Sequence, residues 1–345
     1  VETLTRQMLG EKNNNKFMDT SGKNAFDPML SSNNRTRPAQ GNGTFASGTD
    51  VIHVFCPSEF AGKLGKVLAQ HQITCRLNDF SVDLRRGQKI FHYQSERLPV
   101  DTCTFLVAAT GKGVWVEPLE DYLDRRLGAT EIALLDHNYF LHKKAFSVLS
   151  CERYALQKRG MDLILAVLVG FFSLPLMLLV ALVIRLDSGG PVFYQQERVG
   201  RYGKPFTMIK FRTMCVGAER DGARWAGLMD DRVTRAGIFL RKYRIDELPQ
   251  LINVFRGEMS MIGPRPERQC FVDVLQEHIP FYGFRHCVKP GITGLAQVRY
   301  PYGSSVEDAR WKHKYDIYYI KNRTLWLDLK IVMLTIKTVL IRIGR

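Results

Sequence analysis

The sequence predicts a small α/β domain, then a Pro-kinked re-entrant membrane helix, then a membrane-associated domain that is mostly α (α+β). Three observations predict this. Short apolar runs alternate with helix-period segments over residues 50–145. Residues 163–184 then run for 22 positions without a charged side chain. The remaining stretch, 188–345, is basic, with shorter apolar patterns broken by Gly and Pro.

A chain of 345 residues suits two domains better than one. Its formal charge of +15 marks a surface that attracts polyanions: nucleic acid, phosphorylated substrates or anionic lipid headgroups. The seven cysteines are odd in number and include no C-x-x-C pair, which argues against a disulfide framework or a zinc site and fits a reducing compartment. No secretory h-region is expected within residues 1–50.

Residues 1–49 are rich in Asn, Gly, Ser, Thr and Arg, too poor in apolar side chains to offset ordering entropy, and read as a disordered arm or linker. The domain at 50–145 has a degenerate Rossmann-like texture. Val51-Ile-His-Val-Phe55 reads as a buried strand, and a helix follows from Glu59 to His71 with Phe60, Leu64, Val67 and Leu68 on one face. Ile73 to Leu77 and Thr104-Phe-Leu-Val-Ala108 read as further strands, and Val116 to Leu127 as a helix. The Thr110-Gly-Lys-Gly113 segment lacks the spacing of a phosphate-binding loop and reads as a turn. His137 and His142 read as capping or packing residues, since no third metal ligand is evident.

A straight helix of 22 residues is about 33 Å long, enough to cross a hydrocarbon core of about 30 Å. Two details oppose a simple span. Pro175 near the middle removes a backbone hydrogen bond and kinks the helix. Both flanks are cationic, Arg153, Lys158 and Arg159 on one side and Arg185, Arg198 and Arg201 on the other, so both qualify as cytoplasmic. A helix over 155–187 that enters the bilayer, bends at Pro175 and returns satisfies both.

In 188–345, Pro191-Val-Phe-Tyr194 and Phe206-Thr-Met-Ile209 read as strands joined by the basic turn Arg198-Val-Gly-Arg-Tyr-Gly-Lys204. Asp231 to Tyr243 and Leu248 to Phe255 carry helical spacing, and Lys289-Pro-Gly-Ile-Thr-Gly-Leu-Ala-Gln-Val298 reads as a loop feeding a short strand. From Leu325 onward, Trp326, Leu329, Val332, Met333, Ile336, Val339 and Leu340 lie largely on one helical face, while Lys330, Lys337, Arg342 and Arg345 are cationic. That pattern fits a helix on the membrane surface or one packed on the core.

Two local patterns can carry chemistry. In Asp246-Glu247-Leu248-Pro249, Pro is tolerated in a helix's first turn, which places Asp246 near exposed backbone N–H groups. Such a carboxylate can simply cap, can hold Mg²⁺, or can attack phosphorus if cations such as Arg241, Lys242 and Arg244 neutralise the approach. In Gly263-Pro-Arg-Pro266, two prolines pre-set the backbone around a guanidinium suited to bidentate phosphate binding. Lys210 and Arg212 add further candidate phosphate contacts.

From about Lys158 to Leu340 the chain resembles the bacterial sugar transferases that act on polyprenyl phosphate, the monotopic phosphoglycosyl transferases. The matching pieces include Lys158-Arg-Gly-Met-Asp162, Gln196-Glu-Arg-Val-Gly200, Lys210-Phe-Arg-Thr-Met214, Asp246-Glu-Leu-Pro-Gln250, Met259-Ser-Met-Ile-Gly-Pro-Arg-Pro266, the 289–298 stretch, Asp316-Ile-Tyr-Tyr and Trp326-Leu-Asp-Leu-Lys330. The resemblance implies transfer of a sugar 1-phosphate from a UDP-sugar to undecaprenyl phosphate, the first membrane step of exopolysaccharide or other glycoconjugate synthesis. Asp246 would be the nucleophile, forming an aspartyl-phosphosugar adduct with release of UMP. Glu247 would support metal or proton handling, with both carboxylates near Mg²⁺. Lys210, Arg212, Arg241, Arg265 and Gln297 would bind substrate. The family's re-entrant helix commonly has Ser directly before the kinking Pro; here Leu174 stands there and Ser173 lies one position earlier, with Pro175 kept.

The implied setting is the cytoplasmic face of a bacterial inner membrane, against its lipid, with homo-dimerisation as a further expectation. A non-catalytic scaffold docking anionic lipid is the alternative. A nucleic-acid partner explains neither the apolar run nor the Gly-Pro-Arg-Pro loop, and none is expected.

Overall fold

The computed structural model describes residues 51–142, 146, 149–188, 190–218, 230–300, 303 and 305–340. These fall into two compact units that divide between Phe140 and Leu141. The arm expected over 1–49 lies outside the described residues.

The first unit is a parallel sheet in the order β2-β1-β3-β4, built from β1 (Ile52–Phe55), β2 (Cys75–Leu77), β3 (Lys89–His92) and β4 (Trp115–Pro118). Strand alternation sends Ile52, Val54, Phe91 and Tyr93 to one face and Phe55 and Ile90 to the other. Helices α1 (Ser58–Gln70) and α3 (Leu119–Leu127) cover the first face through Leu64, Leu68, Leu119 and Leu123. Helix α2 (Val100–Gly111) covers the second through Leu106 and Ala109.

Two expectations fail here for identifiable reasons. Thr104 to Ala108 is not a strand but lies inside α2. The period that decides it is Thr102, Leu106 and Ala109, which are buried at helical spacing. The β-branched Thr104 and Thr110 return their hydroxyls to the carbonyls of Val100 and Leu106, four residues back, as helical threonines do. Val116 to Leu127 is not one helix, because Pro118 closes β4 and α3 starts at Leu119. Strand β3, short and flanked by polar residues, was not expected. Of Thr110-Gly-Lys-Gly113, the first two residues end α2 and Lys112-Gly113 form the turn out of it, with Gly113 at φ +81.

The second unit begins with α4 (Glu152–Ser188), 37 residues that remain helical through Pro175. It is long and apolar enough to cross a membrane. Most of its apolar side chains, among them Ile164, Phe171, Phe172, Leu178 and Leu182, are exposed. Its buried residues lie on both sides of Pro175. Ala166 packs with Met208, Leu251, Val254 and Met259, while Val180 and Ile184 pack with Phe211 and Leu240. Burial of Val180 or Ile184 contributes roughly 1.5–3 kcal/mol each, and that of the Ala166 methyl about 0.8 kcal/mol.

The hairpin β5 (Phe193–Val199) and β6 (Pro205–Phe211) pairs Phe193 with Phe211 and Val199 with Pro205 around the expected basic turn. Helix α5 (Arg235–Lys242) is capped by Thr234, whose hydroxyl accepts from the Gly237 N–H, and α6 (Leu251–Arg256) ends at Gly257, φ +80. Strands β7 (Ser260–Ile262) and β8 (Gly291–Thr293) run parallel. Helices α7 (Gln269–His278), α8 (Leu295–Arg299), α9 (Val306–Lys321) and α10 (Leu325–Leu340) complete the unit. The 289–298 stretch therefore departs from expectation: its strand comes early, at β8, and it feeds a helix. The packing reading of α10 holds on one face, and the other face is exposed. Asp328 and Ile331 are buried in the protein, while Trp326, Leu329, Met333 and Ile336 form an exposed apolar stripe.

A buried polar network fastens the start of α4 to β7. Lys158 Nζ donates to Asp162 Oδ1 (2.7 Å) and Ser260 Oγ (2.7 Å), and lies 3.5 Å from Asp328 Oδ2. Asp162 Oδ1 also accepts from the Met261 N–H at 3.1 Å. The Tyr319 hydroxyl reaches Asp328 Oδ1 at 2.7 Å and the Ile262 carbonyl at 3.2 Å. Four of the sequence motifs meet here, and together they fix the strand that leads into Gly263-Pro-Arg-Pro266.

Candidate active site

Asp246 and Glu247 lie on a 3-10 turn, Ile245–Gln250, that opens after Arg244 in the left-handed region (φ 55) and runs directly into α6. Ile245 and Leu248, three apart and so on one side of a 3-10 helix, join the apolar cluster around Val180 and Leu240. That anchorage leaves the two carboxylates on other sides of the turn, and both are more than nine-tenths buried, at 8% and 6% exposure. Asp246 does sit in a first turn, but the segment is 3-10, not α, and Pro249 comes in its second turn.

The two acids differ in their partners. Glu247 Oε1 accepts from Arg265 Nη2 at 2.8 Å and lies 3.4 Å from Lys210 Nζ. Lys210 comes from the end of β6, and Arg265 from the proline-flanked loop after β7. Among the described residues, no hydrogen bond or ion pair falls on the Asp246 carboxylate.

The electrostatics follow from this division. Burial pushes the Asp246 carboxyl up to about 6, reinforced by neighbouring Glu247 and opposed by Lys210 and Arg241. Burial also acts on Glu247, but Arg265, Lys210 and Arg244 outweigh it and hold that carboxyl well below the usual range. Lys210 is lowered by its burial, with Glu247 opposing. At neutral pH Glu247 is a fixed anion clamped by cations, and Asp246 is a buried carboxylate that no described residue clamps.

The loop that carries Arg265 is held by close backbone crossing. The Gly263 N–H donates to the Thr293 carbonyl, and the Gly291 N–H to the Pro264 carbonyl, each at 2.9 Å. A Cβ on Gly294 would stand 2.1 Å from the Gly263 carbonyl oxygen, and one on Gly291 would stand 2.1 Å from the Gly263 nitrogen. Only glycine allows these strands to approach so closely.

The remaining expected residues are spread more widely. Arg241 is on α5 and donates from Nε to Thr213 Oγ1 at 2.8 Å; its charge reaches Asp246. Arg212 is buried just past β6, its N–H on the Val192 carbonyl at 2.9 Å. Gln297 on α8 donates to the Ile292 carbonyl at 2.9 Å and borders a shallow cleft with Lys242, Arg244 and Thr335. Ser173 Oγ lies 3.5 Å from the Gly170 carbonyl within α4. Sequence reasoning missed Arg198 on β5, 3.6 Å from Glu267 Oε2 and electrostatically coupled to Arg265. Its signal was present in Gln196-Glu-Arg-Val-Gly200, but nothing in one sequence says that the hairpin folds against the 264–267 loop.

Asp246 and Glu247 are the residues here that would hold Mg²⁺, an ion usually bound by one or two carboxylates together with substrate phosphates and water. Among the described residues no group of three or more His, Cys, Asp or Glu forms a self-contained metal cage.

These features define a class. The bacterial sugar transferase family model matches residues 153–342, more than half of the chain, and the chain belongs to that family. The match takes in α4, the carboxylate turn and the proline-flanked loop together. Among relatives, the chain is 50% identical over 212 residues to the UDP-N-acetylgalactosamine-undecaprenyl-phosphate N-acetylgalactosaminephosphotransferase of Aeromonas hydrophila, covering 61% of this chain and 49% of that one. It is 46% identical over 187 residues to the UDP-glucose:undecaprenyl-phosphate glucose-1-phosphate transferase of Caulobacter vibrioides, covering 54% and 70%. The Escherichia coli protein of the same name is 41% identical over 183 residues, 52% and 39% of the two chains. The aligned region thus spans about half the length of the Aeromonas relative.

Proposed function

We propose that this protein transfers a sugar 1-phosphate from a UDP-sugar to undecaprenyl phosphate. The observation that carries the reading is the asymmetry of the acids: Glu247 is clamped by Lys210 and Arg265, while Asp246 is buried beside the same cations and bonded by none of the described residues. In the first step an Asp246 oxygen attacks the sugar-proximal phosphorus, the bond to the UMP oxygen breaks, and UMP leaves. In the second, a phosphate oxygen of the lipid attacks that phosphorus and Asp246 departs as a carboxylate, leaving polyprenyl diphosphate sugar. Arg265, Lys210 and Arg241 orient the diphosphate and offset its repulsion with the nucleophile. Glu247 holds Arg265 and Lys210 in place, a role fixed by its permanent charge and not by proton transfer. With substrate phosphates, Asp246 and Glu247 would hold Mg²⁺, which supplies charge neutralisation at phosphorus.

The membrane reading belongs to the same proposal: α4 dips into the cytoplasmic leaflet of the inner membrane and returns. It is supported by the two buried clusters, Ala166 on one side of Pro175 and Val180 with Ile184 on the other, which pack against one and the same unit. A helix spanning the bilayer would place those clusters near opposite faces. Thiol labelling of residues 150 and 195 tests it; modification from opposite faces of the membrane would refute it.

The activity is tested with detergent-solubilised protein, Mg²⁺, undecaprenyl phosphate and a panel of UDP-sugars that includes UDP-N-acetylgalactosamine and UDP-glucose. UMP release is expected with one or more donors, and intact-protein mass spectrometry without acceptor should find a phosphosugar adduct that Asp246→Asn abolishes. No UMP from any donor would sink the reading; full activity in Asp246→Asn would sink the nucleophile.

A further inference from the structure

We propose that Arg285 is a positioning residue that acts on the chemistry through the backbone of Arg265. It lies in the 3-10 segment Tyr282–Cys287 and touches neither Asp246 nor Glu247 in any bond described above. Its Nη2 donates to the Arg265 carbonyl at 2.9 Å and stands 2.9 Å from Asp316 Oδ2 on α9. Its Nη1 donates to the Tyr282 hydroxyl, and its guanidinium sits over that ring, 4.9 Å from the centroid. Arg285, Asp316 and Tyr282 are all at least nine-tenths buried.

The arrangement is a mount for one peptide group. Pro264 and Pro266 fix φ on either side of Arg265, so the loop's remaining freedom lies largely in the peptide planes. The Pro264 carbonyl is already held by the Gly291 N–H. The bond from Arg285 fixes the plane that follows Arg265, and with it the direction in which the Arg265 side chain leaves the backbone. That side chain is 40% exposed, and its guanidinium must still meet Glu247 Oε1 at 2.8 Å. A half-exposed arginine keeps such an alignment only if its base is rigid.

Two physical points favour positioning over simple stability. A buried ion pair is seldom a net stability asset, since apolar replacement of both partners is often neutral. The site also uses the breadth of the guanidinium: Nη1 serves the Tyr282 hydroxyl while Nη2 serves the Arg265 carbonyl and faces Asp316 Oδ2, two positions that a single ammonium nitrogen cannot occupy together. The inference rests on the reading of Arg265 as a phosphate-holding group.

The test is a double-mutant cycle with Arg285→Lys, Arg265→Ala and both together. It is read by kcat and KM for UMP release, by melting temperature, and by hydrogen exchange of the 261–267 backbone amides. Arg285→Lys should lower kcat/KM about tenfold and speed exchange in the loop, with melting shifted by only a few degrees. In the Arg265→Ala background the same change should cost less than twofold, because the group it positions is gone. Additive losses, or unchanged loop exchange, would overturn the proposal. If Arg285→Lys does not fold, Arg285→Met with Asp316→Leu removes both charges of the pair together and must show the same coupling. If no UDP-sugar yields UMP, the transferase reading falls by itself, and loop exchange still decides whether Arg285 holds Arg265.

Discussion

Replacing Asp246 by Asn should stabilise the protein while abolishing its chemistry, and the gain should depend on pH in a calculable way. Burial raises this carboxyl from its usual 3.8 to about 6. A raised folded-state value means that ionisation opposes folding. The penalty is absent below 3.8, grows as pH rises between 3.8 and 6, and is complete above 6. Two units at about 1.36 kcal/mol each give a penalty of about 3 kcal/mol at pH 8, falling to roughly half of that at pH 5. The attraction of Lys210 is already contained in that figure, since it acts on the same titration. For a folding unit of this size, about 3 kcal/mol raises the melting temperature by roughly 6–12 °C. The assay is thermal unfolding of wild type and Asp246→Asn in the same detergent at pH 5 and pH 8. An Asn variant that melts below wild type at pH 8, or whose advantage is the same at both pH values, would refute the account of this site as a strained, desolvated carboxylate.

Three further outcomes follow from the same geometry. Because an attacking Asp246 must be ionised, kcat/KM for UMP release should fall about tenfold per pH unit below about 6, and a flat profile between pH 5 and 7 would count against Asp246 as nucleophile. Gly294→Ala places a methyl group 2.1 Å from the Gly263 carbonyl, so it should force β8 away from the Arg265 loop, lower the melting temperature and raise KM for the donor. Lys158→Met leaves Asp162 and Asp328 buried without their shared cation and should cost about 3–5 kcal/mol by chemical denaturation, with Asp328→Leu in the same chain recovering part of the loss.

Much of this fold was legible where one residue type settles the matter. Pro175 and the uncharged run marked α4, the basic turn marked the β5–β6 hairpin, and the Asp246-to-Pro249 pattern marked the start of a helical turn. The failures came where local composition and tertiary packing disagree. Thr104 to Ala108 is β-branched and aromatic, yet the sheet needed a covering layer, and Leu106 and Ala109 supplied it as a helix. The carboxylate pair was legible as a pair, but its division of labour was not. That Glu247 takes both cations depends on β6 and the 264–266 loop arriving at one side of the turn, from positions 37 and 18 residues away. Arg285 gave no local signal at all, because its role lies in a backbone carbonyl of another segment.

The packing of α4 has a practical consequence for anyone wishing to study this protein without detergent. Ala166 fills a space among Met208, Leu251, Val254 and Met259, and Val180 and Ile184 fill another against Phe211 and Leu240, beside the turn that carries the carboxylates. A chain shortened to begin after Ser188 would not be the same globule relieved of its anchor. It would be a globule with two open cavities and a loosened floor beneath Asp246. Solubility has to be engineered on the outward residues of α4, such as Phe171, Phe172 and Leu178, with the inward ones left alone.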